Sequence, residues 1–113
     1  MENHSDQIVK SNDVIGKSVF SDDNENLGKI EEIVLDKISG QARYLVLSCG
    51  GVLSIGNKLY AIPWKSISYN EEKSGFRLNF DKEKLKFAPN FDKDHWPDFA
   101  DPAFSKVITD FYA

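Results

Sequence analysis

The chain has 113 residues, of which 41% are hydrophobic and 28% charged, and its formal net charge at pH 7 is −4. These values are typical of a single soluble globular domain. The mild acidity means that a polyanion is repelled on average, so nucleic acid is not an expected partner unless a local basic patch exists. Cys49 is the only cysteine, which excludes an intramolecular disulfide and a thiolate metal cage within one chain.

We divide the chain into a flexible N-terminal arm (1–12), a β-barrel domain (13–80) and a C-terminal extension with a helix (81–113). The arm is polar and lacks the apolar h-region of a signal peptide. No stretch approaches the ~20 apolar residues that a membrane-spanning helix needs. Because one unpaired cysteine also suits a reducing compartment, we expect a cytoplasmic protein without a membrane partner.

Short aliphatic and β-branched runs alternate with turns at close spacing. They predict strands over 17–21, 29–36, 42–49, 59–63, 67–69 and 75–80. In the second strand Ile30 has the opposite parity to Ile33 and Leu35, so we expect a β-bulge near Glu31 and Glu32. The pattern predicts an all-β fold, a small closed β-barrel of about six strands.

The third strand is apolar on both of its faces. Tyr44 and Val46 lie on one face, and Leu45, Leu47 and Cys49 lie on the other. The interior of a barrel covers only one face of a strand, so a further element must cover the outer one. The parity of Cys49 predicts a small buried core residue rather than a nucleophile.

After Phe80 the period changes. Asp81 is a predicted cap of a short helical turn over 82–85, and Asp101-Pro102 has the cap and first-turn residues that open a final helix. The apolar residues of this extension and of the third strand form our list of interface candidates: Tyr44, Val46, Trp96, Phe99, Phe104, Val107, Ile108 and Phe111. Two arrangements remain open for them. They fold back onto their own barrel, or they cross to a second subunit of a two-fold homodimer.

The order and spacing of several motifs resemble those of the PRC-barrel family, named for the cytoplasmic domain of the photosynthetic reaction centre H subunit. The motifs are Ile15-Gly16, Gly28-Lys29-Ile30, Val34-Leu35-Asp36, Gly40, Tyr44-Leu45-Val46-Leu47, Gly50-Gly51 and Ile62-Pro63-Trp64. The run from Leu85 to Pro97 resembles the tail of stand-alone bacterial members. The resemblance implies a barrel of about six strands. It also implies a binding or assembly module, as in the reaction centre, the ribosome maturation factor and small stress-associated proteins.

Two loops invite a ligand-binding interpretation. The acidic run 22–26 is similar to the start of a calcium loop, but Leu27 and Ile33 stand where that loop needs glycine and glutamate. Gly50-Gly51 and Gly56 fit neither the dinucleotide-binding nor the Walker spacing, and no helix follows them directly. We interpret the acidic run as a solvated turn and these glycines as turn residues.

Three side-chain groups complete the candidates for chemistry. His95 lies among Asp92, Asp94 and Asp98 as a conceivable metal ligand, but no second histidine accompanies it in this part of the chain. Cys49 lacks a base close to it in sequence, although the fold could bring His95 near. A basic patch, interrupted by Glu83, consists of Lys82, Lys84 and Lys86.

We therefore predict a non-enzymatic protein-binding or scaffold module that acts as a homodimer and has no catalytic residues, metal or cofactor. Its partners are a second copy and a further protein, which it recognises through loops and aromatic anchors. The first alternative is an RNA- or ribosome-associated factor, for which the lysine patch would supply the phosphate contacts. The second is a small enzyme or a cofactor- or metal-binding protein that uses the region of Cys49 or His95.

Overall fold

The computed structural model describes residues 8–49, 58–70 and 72–113, and these form one sheet of seven strands with two α-helices. The strands are β1 (Ser18–Phe20), β2 (Asn26–Leu35), β3 (Ala42–Ser48), β4 (Lys58–Pro63), β5 (Ile67–Asn70), β6 (Gly75–Leu78) and β7 (Phe91–Asp92). The helices are α1 (Lys82–Leu85) and α2 (Pro102–Tyr112). Neither helix is long and apolar enough to cross a membrane, within the ranges just given.

Along the sheet the strands lie in the order β5-β6-β1-β2-β3-β4-β7. All neighbours are antiparallel except β1 and β6, which pair in parallel. β2 has 10 residues, and its register with β3 shifts between Ile30 and Glu32, which confirms the predicted bulge. β2 is also irregular where it pairs with β1, because that register shifts between Val19 and Phe20, and Leu27 and Ile30 both enter the core despite their opposite parity.

The predicted all-β class with a C-terminal helix is confirmed, but the predicted closed barrel of about six strands is not. Among the described residues the sheet is open, and its edge strands are β5 and β7. After Pro63 a 3-10 turn (Trp64–Ser66) redirects the chain, and β5 then pairs with β6 and not with β4. The seventh strand, β7, arises where the C-terminal extension pairs with the start of β4.

The core is one cluster of buried side chains from the strands, α1 and α2. Tyr44, Leu45, Val46 and Leu47 are all buried, so both faces of β3 are covered, as the sequence required. From α2, Ile108 and Tyr112 reach this core. The other fully buried large side chains come mainly from the strands: Val14, Val19, Leu27, Ile30, Leu59, Tyr60, Ile62, Leu78 and Leu85.

Both predicted helix caps are present. The Asp81 carboxylate accepts a hydrogen bond from the Glu83 N–H, and the Asp101 carboxylate accepts one from the Ala103 N–H. At the other end of the chain, most of the predicted arm (1–7) lies outside the described residues. Ile8 and Val9 follow it and are exposed.

Candidate functional site

Four aromatic rings of the C-terminal extension lie together beside β3, and we call them the C-terminal aromatic surface: Phe91, Trp96, Phe99 and Phe104. The Phe99 ring is at the centre, with its centroid 5.5 Å from that of Phe104 and 5.9 Å from that of Tyr44. Phe104 also meets Tyr44 edge-on, at 6.1 Å. In this single chain, therefore, its own extension covers the outer face of β3.

Local hydrogen bonds hold the segment that carries these rings. The Asp98 carboxylate accepts a bond from the Ala100 N–H at 3.0 Å, and the Asp98 carbonyl accepts one from the Asp101 N–H at 3.1 Å. Asp101 then caps α2 through the Ala103 N–H at 2.9 Å. Because each bond is short-range, the segment enters the helix in a fixed geometry and presents the rings on a preorganised support.

The remaining interface candidates have three different environments. Val46 and Ile108 are fully buried and present no side-chain surface to a partner. Phe111 lies towards the end of α2, where its ring centroid is 5.4 Å from that of Phe80. Val107 is 52% exposed and lies one turn beyond Phe104, so it extends the apolar patch along the helix.

Sequence reasoning left Phe91 out of the interface candidates. Its ring is 5.1 Å from Trp96 and 6.1 Å from Phe99, and its backbone belongs to β7. The available signal was its place in an aromatic-rich run just before Trp96. A strand of two residues has no detectable period, so its pairing with β4 could not be read from the sequence.

The exposed part of the C-terminal aromatic surface has an acidic border. Trp96 is 43% exposed, whereas the other three rings are half-buried. The segment 91–104 contains four aspartates and one lysine. Lys58 lies 2.7 Å from Asp92 and holds the pKa of that carboxyl below its usual range. Asp94 and Asp98, two residues before and after Trp96 in the chain, are exposed and leave a net negative charge on this segment.

The two residues considered for chemistry, Cys49 and His95, have different environments. Cys49 is fully buried, and burial raises the pKa of its thiol to about 12, so the reactive thiolate is not formed near neutral pH. The His95 side chain is 81% exposed, with Nδ1 3.9 Å from a carboxylate oxygen of Asp92. Across the described ranges, no three histidine, cysteine or acidic side chains gather as a metal site. The glycines Gly50-Gly51 and Gly56 lie outside those ranges.

The basic patch is largely balanced by acidic neighbours. Lys82 forms ion pairs with Glu25 and with Asp23, the latter at 3.0 Å, and hydrogen bonds to these two carboxylates raise its pKa. Lys86 lies 3.2 Å from Glu83. The acidic run once compared with a calcium loop therefore contributes two carboxylates to an ammonium group.

A second exposed apolar feature is the tip of the β2–β3 hairpin. Ile38 is 91% exposed and Leu35 is 58% exposed. The Asp36 carboxylate accepts hydrogen bonds from the Ile38 and Ser39 N–H groups and lies 3.4 Å from Arg43. The sequence predicted a turn at this position, but the composition of the turn did not indicate a binding surface.

Together these features define a small, mainly β domain with a helical extension and an exposed aromatic surface. The family model of the PRC-barrel domain matches residues 6–85, and the chain belongs to that family. A solved structure from Pseudomonas aeruginosa, described as a candidate 16S ribosomal RNA processing protein, RimM, has 16% sequence identity to it and a TM-score of 0.48. That match covers 66% of this chain and 45% of the other, so the chain matches less than half of that protein. Comparison with curated proteins gives no match.

Proposed function

We propose that this PRC-barrel chain is a non-enzymatic protein-binding or scaffold module, acting in the cytoplasm as a homodimer, and that its C-terminal aromatic surface binds a further protein. The observation that carries the proposal is the 43% exposure of Trp96 on a cluster of otherwise half-buried rings. Tryptophan on a rigid support is the side chain most enriched among residues that dominate protein interfaces. Preorganisation also lowers the entropic cost of binding.

The border of this surface specifies the chemistry of the partner. Asp94 and Asp98 are exposed next to Trp96, so a complementary surface has an apolar or aromatic centre and basic residues around it. A guanidinium group from the partner would be favoured twice, by these carboxylates and by the face of the indole ring. We therefore expect arginine in the segment that the surface binds.

The environments of Cys49 and His95 support a role without catalysis. The thiol is protonated and buried, and the imidazole is exposed with one distant carboxylate as its neighbour. Nucleophilic catalysis needs a thiolate and a base within hydrogen-bond reach. Neither candidate has the environment that such chemistry requires.

Site-specific photo-crosslinking tests the proposal. A benzophenone amino acid at position 107, inside the apolar patch, is irradiated in an extract of the source cells. The matched control carries it at position 38, which is also exposed and apolar but lies on the hairpin tip. We expect one discrete adduct from position 107 that disappears with Trp96→Ala. An adduct pattern shared by both positions, or one unchanged by Trp96→Ala, would contradict the proposal.

The alternative, an RNA- or ribosome-associated factor, is less favoured by the lysine contacts. Two of the three lysines of the patch, Lys82 and Lys86, already have acidic partners, so Lys84 is the one lysine of this patch without an ion pair among the described residues. Binding through phosphates weakens steeply as salt rises. This alternative would be favoured over a protein partner if the chain co-purifies with RNA and if the RNA is lost in either of two tests. The first is washing at high salt, and the second is the Lys84→Ala variant at low salt.

A further inference from the structure

Among the described residues, one edge of the sheet has a backbone in a form suited to further pairing. β5 is the edge strand, and within the described part of the chain its strand partner is β6 alone. Its four residues are Ile67, Ser68, Tyr69 and Asn70, with no proline and no charge. Natural edge strands are usually protected by lysine, proline, a bulge or extreme shortness. The opposite edge, β7, has one of these protections, because it is only two residues long, and its Asp92 is also engaged in an ion pair with Lys58 of β4.

The register identifies which backbone groups face outwards. The Asn79 N–H donates to the Ser66 carbonyl at 2.8 Å, so these two residues form a hydrogen-bonded pair at the start of the hairpin. Antiparallel pairs alternate between bonded and non-bonded positions. The pair of Tyr69 with Phe76 is therefore non-bonded, and the N–H and C=O of Tyr69 both point away from β6. The Ile67 N–H is already used by the Trp64 carbonyl.

The outward-facing N–H and C=O of Tyr69 can pair with the same groups of a second copy that is related by a two-fold rotation. An antiparallel pair centred on Tyr69 lets each N–H donate to the carbonyl of the other copy, which gives two reciprocal hydrogen bonds. The same rotation places the two tyrosine rings side by side. Each ring is 55% exposed in the single chain, with its other neighbour, Phe76, at 5.4 Å. Aromatic pairs directly opposite each other stabilise antiparallel strands.

The charges beside the edge point to the same occupant. An open groove of about 380 Å³ lies along β5, lined by Ser68, Tyr69, Asn70, Glu72 and Arg77. It contains one acidic and one basic side chain. Because it carries both signs of charge, the groove does not repel a second copy placed beside it. A groove of one sign would instead repel its own copy.

We infer that a second copy of this chain binds at the β5 edge, through antiparallel β5–β5 pairing centred on Tyr69. The inference rests on the homodimer of the proposed function and assigns its surface. The two copies then form one continuous sheet. The C-terminal aromatic surface is not used by this pairing and remains available for a different protein. A pair of four-residue strands forms a small interface, so the dimer is expected to be weak and to dissociate on dilution.

The experiment combines sedimentation equilibrium with residue-resolved amide exchange on the unmodified protein over a dilution series. We expect the Tyr69 amide to exchange at least about tenfold more slowly when the dimer dominates, because its hydrogen bond forms only there. The Ser68 amide is the internal control. It faces β6 and should exchange slowly at every concentration.

Two variants separate the backbone from the ring. Tyr69→Ala removes the ring and keeps the N–H, whereas Tyr69→Pro removes both without breaking a bond to β6. We expect Tyr69→Pro to raise the dissociation constant at least about tenfold above that of Tyr69→Ala. Circular dichroism of both variants checks that they fold.

Each outcome decides the question. A dimer in which Tyr69 exchange is independent of concentration overturns the β5 pairing, while the homodimer itself stands. A chain that stays monomeric at all concentrations overturns the pairing and the homodimer together. Partner binding at the C-terminal aromatic surface is then still tested separately by the crosslink at position 107.

Discussion

At Gly28, β2 lies close to the backbone at the end of β3. Its φ is 150°, a value that side chains rarely adopt, and a Cβ placed there would lie 2.1 Å from the backbone carbonyl oxygen of Ser48. A backbone atom cannot move aside as the end of a long side chain can. The glycine is therefore needed both for its conformation and for the space it leaves.

We predict that Gly28→Ala lowers the free energy of unfolding by about 3 kcal/mol, from strain and overpacking together. The matched control is Gly40→Ala. Gly40 also has a positive φ, of 80°, but nothing lies within 4 Å of its Cβ position, so the strain alone costs about 1 kcal/mol. Urea unfolding of both variants measures the difference. Equal losses would mean that the two strands separate easily at Gly28.

Elements with local signals were predictable from the sequence. The Asp101-Pro102 pair predicted the start of α2, and the changed parity of Ile30 predicted the bulge in β2. The open sheet had no such signal. The parallel pairing of β1 with β6 joins segments more than 50 residues apart, at Val19 and Phe76, and only the folded chain brings them together. For the site, the aromatic content was evident in the sequence, but the central position of Phe99 depends on the turn before α2.

The packing of α2 gives a prediction at the scale of the element. Ile108 is fully buried and Val107, its neighbour, is 52% exposed. We expect Ile108→Ala to cost about 3 kcal/mol of unfolding free energy, and Val107→Ala to cost less than about 0.5 kcal/mol. Thermal or urea unfolding at several protein concentrations provides the measurement. Similar losses in the two variants would contradict this packing of Ile108, and a loss that grows as concentration rises would show that α2 docks on another copy.

Across the whole molecule, one buried cluster joins the end of β3, β4 and the end of α2. Burial raises the pKa of Cys49 to about 12 and, with the nearby thiol, that of Tyr60 to about 12. The pKa of Tyr112 is raised further, chiefly by burial, and its hydroxyl has no hydrogen-bond partner among the described residues. All three groups are neutral in the folded chain, and each can ionise readily only after unfolding.

This cluster predicts a loss of stability in alkali. Between the ordinary thiol pKa of 9.0 and the folded value of about 12, the unfolded chain releases a proton that the folded chain keeps. The contribution of the neutral thiol to the free energy of unfolding is therefore fully present below pH 9. Above that pH the free energy of unfolding falls, by up to about 1.4 kcal/mol per pH unit for each group. Tyr60 and Tyr112 add to this fall above pH 10.0, their ordinary pKa, because they then ionise in the unfolded chain.

Cys49→Ala separates the two contributions. It should move the onset of the decline from near pH 9 to near pH 10, where the tyrosines begin to ionise in the unfolded chain. Urea unfolding at a series of pH values measures the onset, and the phenolate absorbance of Tyr60 and Tyr112 should rise together with the loss of circular dichroism. Because the cluster ties α2 to the sheet, both probes should report one transition. A phenolate signal from Tyr60 and Tyr112 that precedes unfolding would mean that α2 separates from the sheet while the sheet remains folded.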